Sequence, residues 1–247
     1  MIHILDDEQE FRSLCLTAWH ENTTFWSQTR NINKDIRDYL LNSIIAFQPQ
    51  GGISIADIGC GNGWLLQELI QQKILIKYTG IDFNKFFVAN LTTEHPRANF
   101  ISIDFSVPVS DPAIMNQDIL VCCLSFIEMP NLHIPIRNAS KMLRNGGMLI
   151  IITLDPFFEI IRLNSAYDTL ENDLRIFRET DLPCYYRKEI IINGLPSNKY
   201  YFGVLHKNDY FQKDLIENKF NLINSNYLNK RGGLSPLYLA YTYQKYE

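Results

Sequence analysis

Charge is scarce in this 247-residue sequence. Asp, Glu, Lys and Arg make up 20% of it, and the formal net charge is −4. Without a basic surplus there is no electrostatic footprint for a phosphate backbone, so no nucleic-acid partner is expected. Long apolar runs are also missing. The longest candidate, Met148 to Leu154, is the size of a strand, short of the ~18–20 residues of a membrane span. No membrane partner is expected either. The first ten residues include Asp6, Asp7, Glu8 and Glu10 and no apolar core of the secretory kind, which predicts a cytoplasmic protein. The five cysteines are odd in number, and Cys122 and Cys123 are adjacent, which suits reduced thiols and excludes a disulfide framework. The five histidines form no i, i+4 pair and no Cys/His cluster, so no metal is expected.

Apolar residues, by contrast, make up 46% of the chain, enough for one sizeable core. The first ~50 residues read as helical. Phe11, Leu14, Cys15 and Ala18 recur at i, i+3, i+4, i+7, and Ile36, Tyr39, Leu40, Ile44 and Phe47 follow the same period. Asn33 is placed to cap the second of these helices, and "QPQGG" ends it. Short apolar strands then alternate with amphipathic helices. Strands are predicted at Ile53–Ile58, Lys77–Asp82, Asn99–Ile103, Asp118–Cys123 and Met148–Leu154, and helices at Gly63–Gln72, Asn84–Thr93 and Ile134–Leu143. Such alternation means a parallel sheet covered on both faces. Beyond Leu154 the rhythm breaks. Asp155 to Leu182 reads as mixed and partly helical, and Tyr185–Ile192 and Lys199–Leu205 read as a hairpin. A helix at Asp209–Asn218 and strands at Asn221–Tyr227 and Leu237–Tyr243 close the chain, the last two pairing antiparallel at a sheet edge. The expected fold is α/β: a Rossmann-like, doubly wound, mostly parallel seven-stranded sheet. It carries an N-terminal helical lid over residues 1–50, and the core of 51–247 contains an inserted β-hairpin region after strand 5, about 155–205.

The stretch "IADIGCGNGW", Ile55 to Trp64, puts three glycines into five positions between a strand and a helix. Glycine permits φ > 0 and close approach of a ligand to the main chain, and the helix start offers free N–H donors. The dinucleotide fingerprint G-x-G-x-x-G, counted from Gly59, requires glycine at position 64, where Trp64 stands. A P-loop is excluded because no G-K-[ST] follows.

The pattern D-x-G-x-G-x-G resembles motif I of the class I S-adenosylmethionine-dependent methyltransferases, and the resemblance runs from about Trp19 to Tyr243. In "YTGIDF", Asp82 matches the acid that ends strand 2 and accepts the ribose hydroxyls. In "ISIDFS", Asp104 matches the residue facing the adenine amino group, with Phe105 beside it. "DILVCCLSFIEM" matches the strand-4 motif, which puts Leu124 and Ser125 near the sulfonium. "LRNGGMLIIIT" matches the turn before strand 5, with Arg144-Asn145 in place of Lys-Pro. The resemblance implies S-adenosyl-L-methionine as cofactor, held by Asp57, Gly59, Gly61, Asn62, Gly63, Asp82, Phe83, Asp104, Phe105 and Leu124. Trp19 and Arg37 of the N-terminal segment join them. Arg37 has a second reading, a surface ion pair with Asp38 or a neighbouring carboxylate.

Methyl transfer requires alignment and exclusion of water, and a base only for poorly acidic acceptors. An N-P-P-Y-type motif after strand 4 is replaced by "SFIEMP", which disfavours DNA-adenine and protein-glutamine methylation. The metal-dependent O-methyltransferase type needs an acidic cluster there, and only Glu128 and Asp155 are at hand. The expected acceptor is a small molecule, such as a specialised metabolite, methylated at oxygen or nitrogen. A peptide or protein carboxylate or amine is the alternative, and a non-catalytic cofactor-binding member of the fold a third reading. The aromatic lid, Trp19, Phe25 and Trp26, suits a cation or a planar acceptor, and Trp26, His20, Glu128 and Tyr201 are expected at the acceptor. His206 falls where related small-molecule enzymes carry a histidine at the pocket mouth, and it is read as a base or as a helix-capping residue. His133, after strand 4, is a second candidate catalytic group. A monomer or homodimer is expected.

Overall fold

The computed structural model describes residues 2–5, 7–24, 32–47, 52–155, 183–192, 195–206, 208–229 and 237–247. Five strands form the parallel part of the main sheet: β2 (Ile53–Ile58), β3 (Ile76–Asp82), β4 (Asn99–Ser102), β5 (Gln117–Cys123) and β6 (Leu143–Leu154). Two further strands, β9 (Phe220–Leu228) and β10 (Tyr238–Lys245), complete it in the order β4-β3-β2-β5-β6-β10-β9. β10 runs antiparallel to both β6 and β9. The chain winds outward from β2 to β4, then returns to lay β5 against the other side of β2. The switch point therefore lies between β2 and β5, at the C-terminal ends where open α/β sheets bind ligands.

Alternation of side chains sorts β5 onto two cores. Ile119 and Val121 join the cluster under α2 (Lys34–Phe47) and α3 (Trp64–Gln71), through Leu40, Ile44, Leu65 and Leu69. Leu120 and Cys122 join the opposite cluster under α5 (His133–Met142) and α6 (Asn208–Glu217), through Ile136, Ala139, Phe211 and Leu215. A strand buried on both faces reads as a continuous apolar run, which is why "DILVCC" carries no polar–apolar alternation. Asn33 acts as expected, its Oδ1 accepting the Asp35 N–H at 2.8 Å. At the far end of the sheet Asp118 receives the Ser54 N–H and Oγ–H, both at 2.8 Å, and Arg144 Nε at 2.6 Å. Although burial opposes it, those donors and the guanidinium hold the Asp118 carboxyl below its usual range.

Two expectations differ from the structure. Leu143–Gly147, read as a helix end and a turn, opens β6 instead: Gln117 pairs with Leu143, a register shift follows, and Gly146 takes φ 75°. The glycine pair bends a continuous strand rather than ending an element. The N-terminus is also not helical throughout. Ile2–Leu5 form β1, which pairs antiparallel with β7 (Cys184–Ile192), and β7 pairs with β8 (Leu195–Leu205), making a three-stranded sheet of order β1-β7-β8. The expected hairpin is present, with longer strands. Helix α1 (Glu8–Glu21) packs on this small sheet through Phe11, Cys15, Phe202 and Val204. Phe25, Trp26 and residues 156–182 lie outside the described residues. No described helix is long and apolar enough to cross a membrane.

Candidate active site

Beyond β2 the chain enters the glycine turn, and Gly59, Gly61 and Gly63 all have positive φ, at 72°, 51° and 73°. Their surroundings differ. A Cβ on Gly59 would stand 2.6 Å from Ser125 Cβ, and one on Gly63 would stand 2.6 Å from Leu91 Cδ2. A Cβ on Gly61 would meet nothing within 4 Å. The outer glycines thus let the turn pack against β5 and α4 (Lys85–Glu94), while the middle one faces open space. That space is a cavity of about 400 Å³, within the range of small-molecule sites.

Asp82, the last residue of β3, closes the turn. Its Oδ2 accepts the Gly61 N–H at 2.9 Å and its Oδ1 accepts the Asn84 N–H at 2.8 Å. Burial raises its pKa to about 6, against the pull of those two donors. Each oxygen keeps a second lone pair for a ligand hydroxyl. Asp57 is set deeper, outside the cavity wall, with Oδ2 accepting the Tyr78 hydroxyl at 2.6 Å. Burial pushes it up to about 7, and the nearby Asp82 adds to this. Its part is to brace β2 against β3 beneath the turn. Asn62 and Gly63 likewise fall outside the lining, and Gly63 serves as the left-handed N-cap of α3.

Asp104 borders the other end of the cavity. Its Oδ1 accepts from the Ser106 backbone N–H at 2.9 Å and from Ser106 Oγ at 2.5 Å. Its Oδ2 receives Arg12 of α1 at 3.2 Å, and Arg12 also donates to Ser106 Oγ at 2.7 Å. Phe83, Phe105 and Leu124 complete this part of the wall. Leu124 takes φ 59°, a left-handed conformation unusual for a leucine, while its N–H is tied to Ile152 O at 2.9 Å. Such an outlier at the end of a central strand turns the main chain toward the cavity. Beside it Ser125 Oγ is buried with no hydrogen-bond partner among the described residues.

Helix α1 roofs the cavity with Arg12, Cys15, Leu16 and Trp19. It starts at Asp7, whose Oδ1 accepts the Glu10 N–H at 2.7 Å. Trp19 stacks edge-on against Phe83 and Phe87, with centroids 6.4 and 6.3 Å away, and donates its Nε1–H to Glu128 Oε2 at 2.8 Å. Glu128 ends a short 3₁₀ turn, Phe126–Glu128, after β5. Burial lifts its pKa to about 8, opposed by the indole bond and reinforced by the charge on Asp82. Burial also pushes the Cys15 thiol up, so it is no nucleophile. Tyr201 of β8, with Leu154 and Tyr238 at the ends of β6 and β10, forms the far wall.

The histidines expected at the chemistry stand elsewhere. His206 is turned away from the cavity, with Nε2 2.8 Å from Met129 O, and burial lowers its pKa to about 4. A ring spent on a carbonyl and kept neutral holds the Phe126–Met129 segment in place; it does not face an acceptor. His133 is exposed on α5 and pairs with Asp214 at 3.3 Å, outside the lining. His20 faces Phe83 edge-on but does not line the cavity. Arg37 follows its surface reading, 3.7 Å from both Asp38 and Glu68 and remote from the cavity wall. Trp26 lies outside the described residues. Arg12 left no local sign in the sequence, where it reads as one more polar residue on an amphipathic helix. Nor did the sequence show the strain at Leu124.

Residues 56–149 match a family model described as a methyltransferase domain. No curated protein matches the sequence significantly. Among solved structures, an S-adenosylmethionine-dependent methyltransferase from Clostridium acetobutylicum is 14% identical, with TM-score 0.61 over 93% of this chain and 99% of that one. The Burkholderia thailandensis 1,6-didemethyltoxoflavin-N1-methyltransferase, solved with its substrate and S-adenosylhomocysteine, is 15% identical, with TM-score 0.60 over 100% and 95%. The glycopeptide N-methyltransferase MtfA, complexed with S-adenosylmethionine, is 13% identical, with TM-score 0.59 over 87% and 96%. At such identities the structures speak to the fold alone, and the domain match speaks to residues 56–149. The chain thus carries a methyltransferase domain over residues 56–149, within a fold shared with S-adenosylmethionine-dependent methyltransferases.

Proposed function

We propose that the enzyme methylates an oxygen or nitrogen of a small, mainly apolar molecule. The observation that carries this reading is the shape of the cavity. It starts at the glycine turn and continues past Leu124 to Glu128, Met129 and Tyr201, under α1 and β8. A roofed space of this kind suits a compact acceptor better than an extended chain.

Bound there, S-adenosylmethionine supplies a methyl group already activated on a sulfonium. Gly61 leaves room for the cofactor at the main chain, and the two oxygens of Asp82 are set to take the ribose hydroxyls. Asp104 and Phe105 border the adenine end, and Phe83 and Trp19 offer ring faces and edges alongside. Leu124 and Ser125 form the floor where the methyl group would be presented. The roof formed by α1 excludes water from the transfer, so the main contribution of the protein is alignment and desolvation. Among neighbours of the same fold, one is named for N1 methylation of 1,6-didemethyltoxoflavin and another for glycopeptide N-methylation. Both names are compatible with a compact or partly enclosed acceptor.

The test is incubation with methyl-labelled S-adenosylmethionine and a cell extract separated into small-molecule filtrate and protein fractions. Label in the filtrate that depends on the enzyme is the expected result. Label confined to the protein fraction would replace the small-molecule reading with the peptide one.

A further inference from the structure

The carboxylate of Glu128 has a setting that methyl transfer alone does not require. Among the described lining residues the charged groups are Asp82, Asp104 and Glu128 against a single guanidinium, Arg12. With all of them ionised, three carboxylates against one guanidinium would leave the wall two charges negative, so Glu128, pushed up to about 8 by burial, is ionised at neutral pH only when a cation faces it. Asp104 is committed to Arg12 and Ser106. Asp82 is committed to the glycine turn. Glu128 accepts one hydrogen bond among the described residues, at Oε2 from Trp19, so the indole fixes the carboxyl while no donor among the described residues reaches Oε1. The same lining includes the apolar Cys15, Leu16, Ile127 and Met129. An acid held in such a place is costly to ionise unless a cation or a proton donor comes to it. The sulfonium accounts for one of the two negative charges, since the cofactor's own carboxylate and ammonium cancel. An ionised Glu128 then calls for a second positive charge, which an acceptor can supply.

We infer that Glu128 is the group that receives the acceptor's proton, and that the acceptor is therefore a compact apolar or aromatic molecule bearing a basic nitrogen. This rests on the small-molecule methyl-transfer reading above and narrows it. In the step, an N–H bond of the bound ammonium breaks and an O–H bond forms at Glu128. The electron pair stays on nitrogen, which then has the lone pair it needs to accept the methyl carbon. An ammonium without that transfer has no pair to offer. Burial favours the neutral acid and amine over the ion pair, so the same desolvation that lifts the Glu128 pKa drives the proton in the productive direction. The positive charge reappears on the methylated nitrogen as sulfur becomes neutral, and the proton on Glu128 leaves with product exchange. The Trp19 Nε1–H is the positioning group, since it keeps Oε2 occupied and turns Oε1 to the ligand.

The experiment uses the full chain saturated with S-adenosylhomocysteine, titrated calorimetrically with phenethylamine and with its neutral analogue 2-phenylethanol. The amine should bind at least about tenfold more tightly than the alcohol. Glu128→Gln should bring the amine to the level of the alcohol, while S-adenosylhomocysteine affinity and the alcohol's stay within about twofold. Trp19→Phe, which keeps the carboxylate but frees it, should lose part of the preference and serves if Glu128→Gln does not fold. Equal binding of amine and alcohol, no amine binding at millimolar concentration, or a preference that survives Glu128→Gln would overturn the inference. Failure of S-adenosylhomocysteine itself to bind is a different result, and would overturn the methyl-transfer reading on which it rests.

Discussion

Replacing Asp82 by Asn separates two jobs that one carboxylate performs. In the native protein its two oxygens take the N–H groups of Gly61 and Asn84. An amide offers one oxygen, so one buried N–H must face an NH₂ group, which costs about 1–3 kcal/mol. The loss is offset from the other direction. The folded protein raises the Asp82 pKa from 3.8 to about 6, so the ionised side chain costs the folded state about 3 kcal/mol at neutral pH, at about 1.4 kcal/mol per unit. A neutral amide escapes that cost. The two contributions are of similar size and opposite sign, and urea unfolding of Asp82→Asn should stay within about 1–2 kcal/mol of wild type. Ligand binding has no such offset. Hydrogen bonds from ribose hydroxyls to a charged acceptor are worth about 1.5–3 kcal/mol, so S-adenosylhomocysteine affinity, read by calorimetric titration, should fall about ten- to hundredfold. A variant that unfolds like wild type and binds within twofold of it would refute the assignment of Asp82 to the ribose. A variant that loses several kcal/mol of stability would show instead that the turn depends on the charge.

The glycines of the turn should respond differently to the same change. Gly61→Ala should cost about 1–2 kcal/mol for its left-handed backbone and weaken S-adenosylhomocysteine binding by at least about tenfold, because the added methyl points into the cavity. Gly59→Ala should be the more destabilising of the two in thermal unfolding without ligand, because its Cβ meets Ser125 Cβ at 2.6 Å; the reverse order would contradict the packing described. The pH dependence has a definite sign as well. Asp57, Asp82 and Glu128 have pKa values raised to about 7, 6 and 8, so the folded chain binds their protons more tightly and loses stability as pH rises through those values. His206, lowered to about 4, works the opposite way but only below its unfolded value of 6.5. The ligand-free melting temperature should therefore fall between about pH 6.5 and 8, less steeply in Glu128→Gln, and a flat wild-type profile would show that these acids are not buried as described.

The sequence was most informative where one physical constraint acts on neighbouring residues. The glycine turn is such a place: D-x-G-x-G-x-G, with tryptophan where a dinucleotide fold needs glycine, encodes a backbone conformation that the structure shows at all three glycines. The strand pattern of "DILVCC" and "MLIIITL" was similarly legible because burial on both faces leaves no polar position. Elements set by distant partners were not. "IHIL" is too short for any periodicity, and it is a strand because β7 lies beside it. Arg12 reads as a solvated residue until α1 docks over Asp104. Glu128 was singled out for its position after β5, but the indole that fixes it comes from Trp19, 109 residues away. His206 shows the converse: its match to a histidine of related enzymes suggested a group at the pocket mouth, and tertiary packing turned the ring toward Met129 O.

The pairing of Ile2 with Lys188 bears on how the protein is made. β1 leaves the ribosome well before β7 and cannot pair until the intervening chain has followed. At about 5–20 residues per second, that wait is on the order of 10–40 s. Through that interval α1, which rests on the same small sheet, lacks the surface it will cover. The parallel strands β2 to β6 can pair among themselves long before. The roof of the cavity is thus set well after the strands of its floor, and a chain that lost β1 would keep the floor of the site while its cover lacked an edge strand.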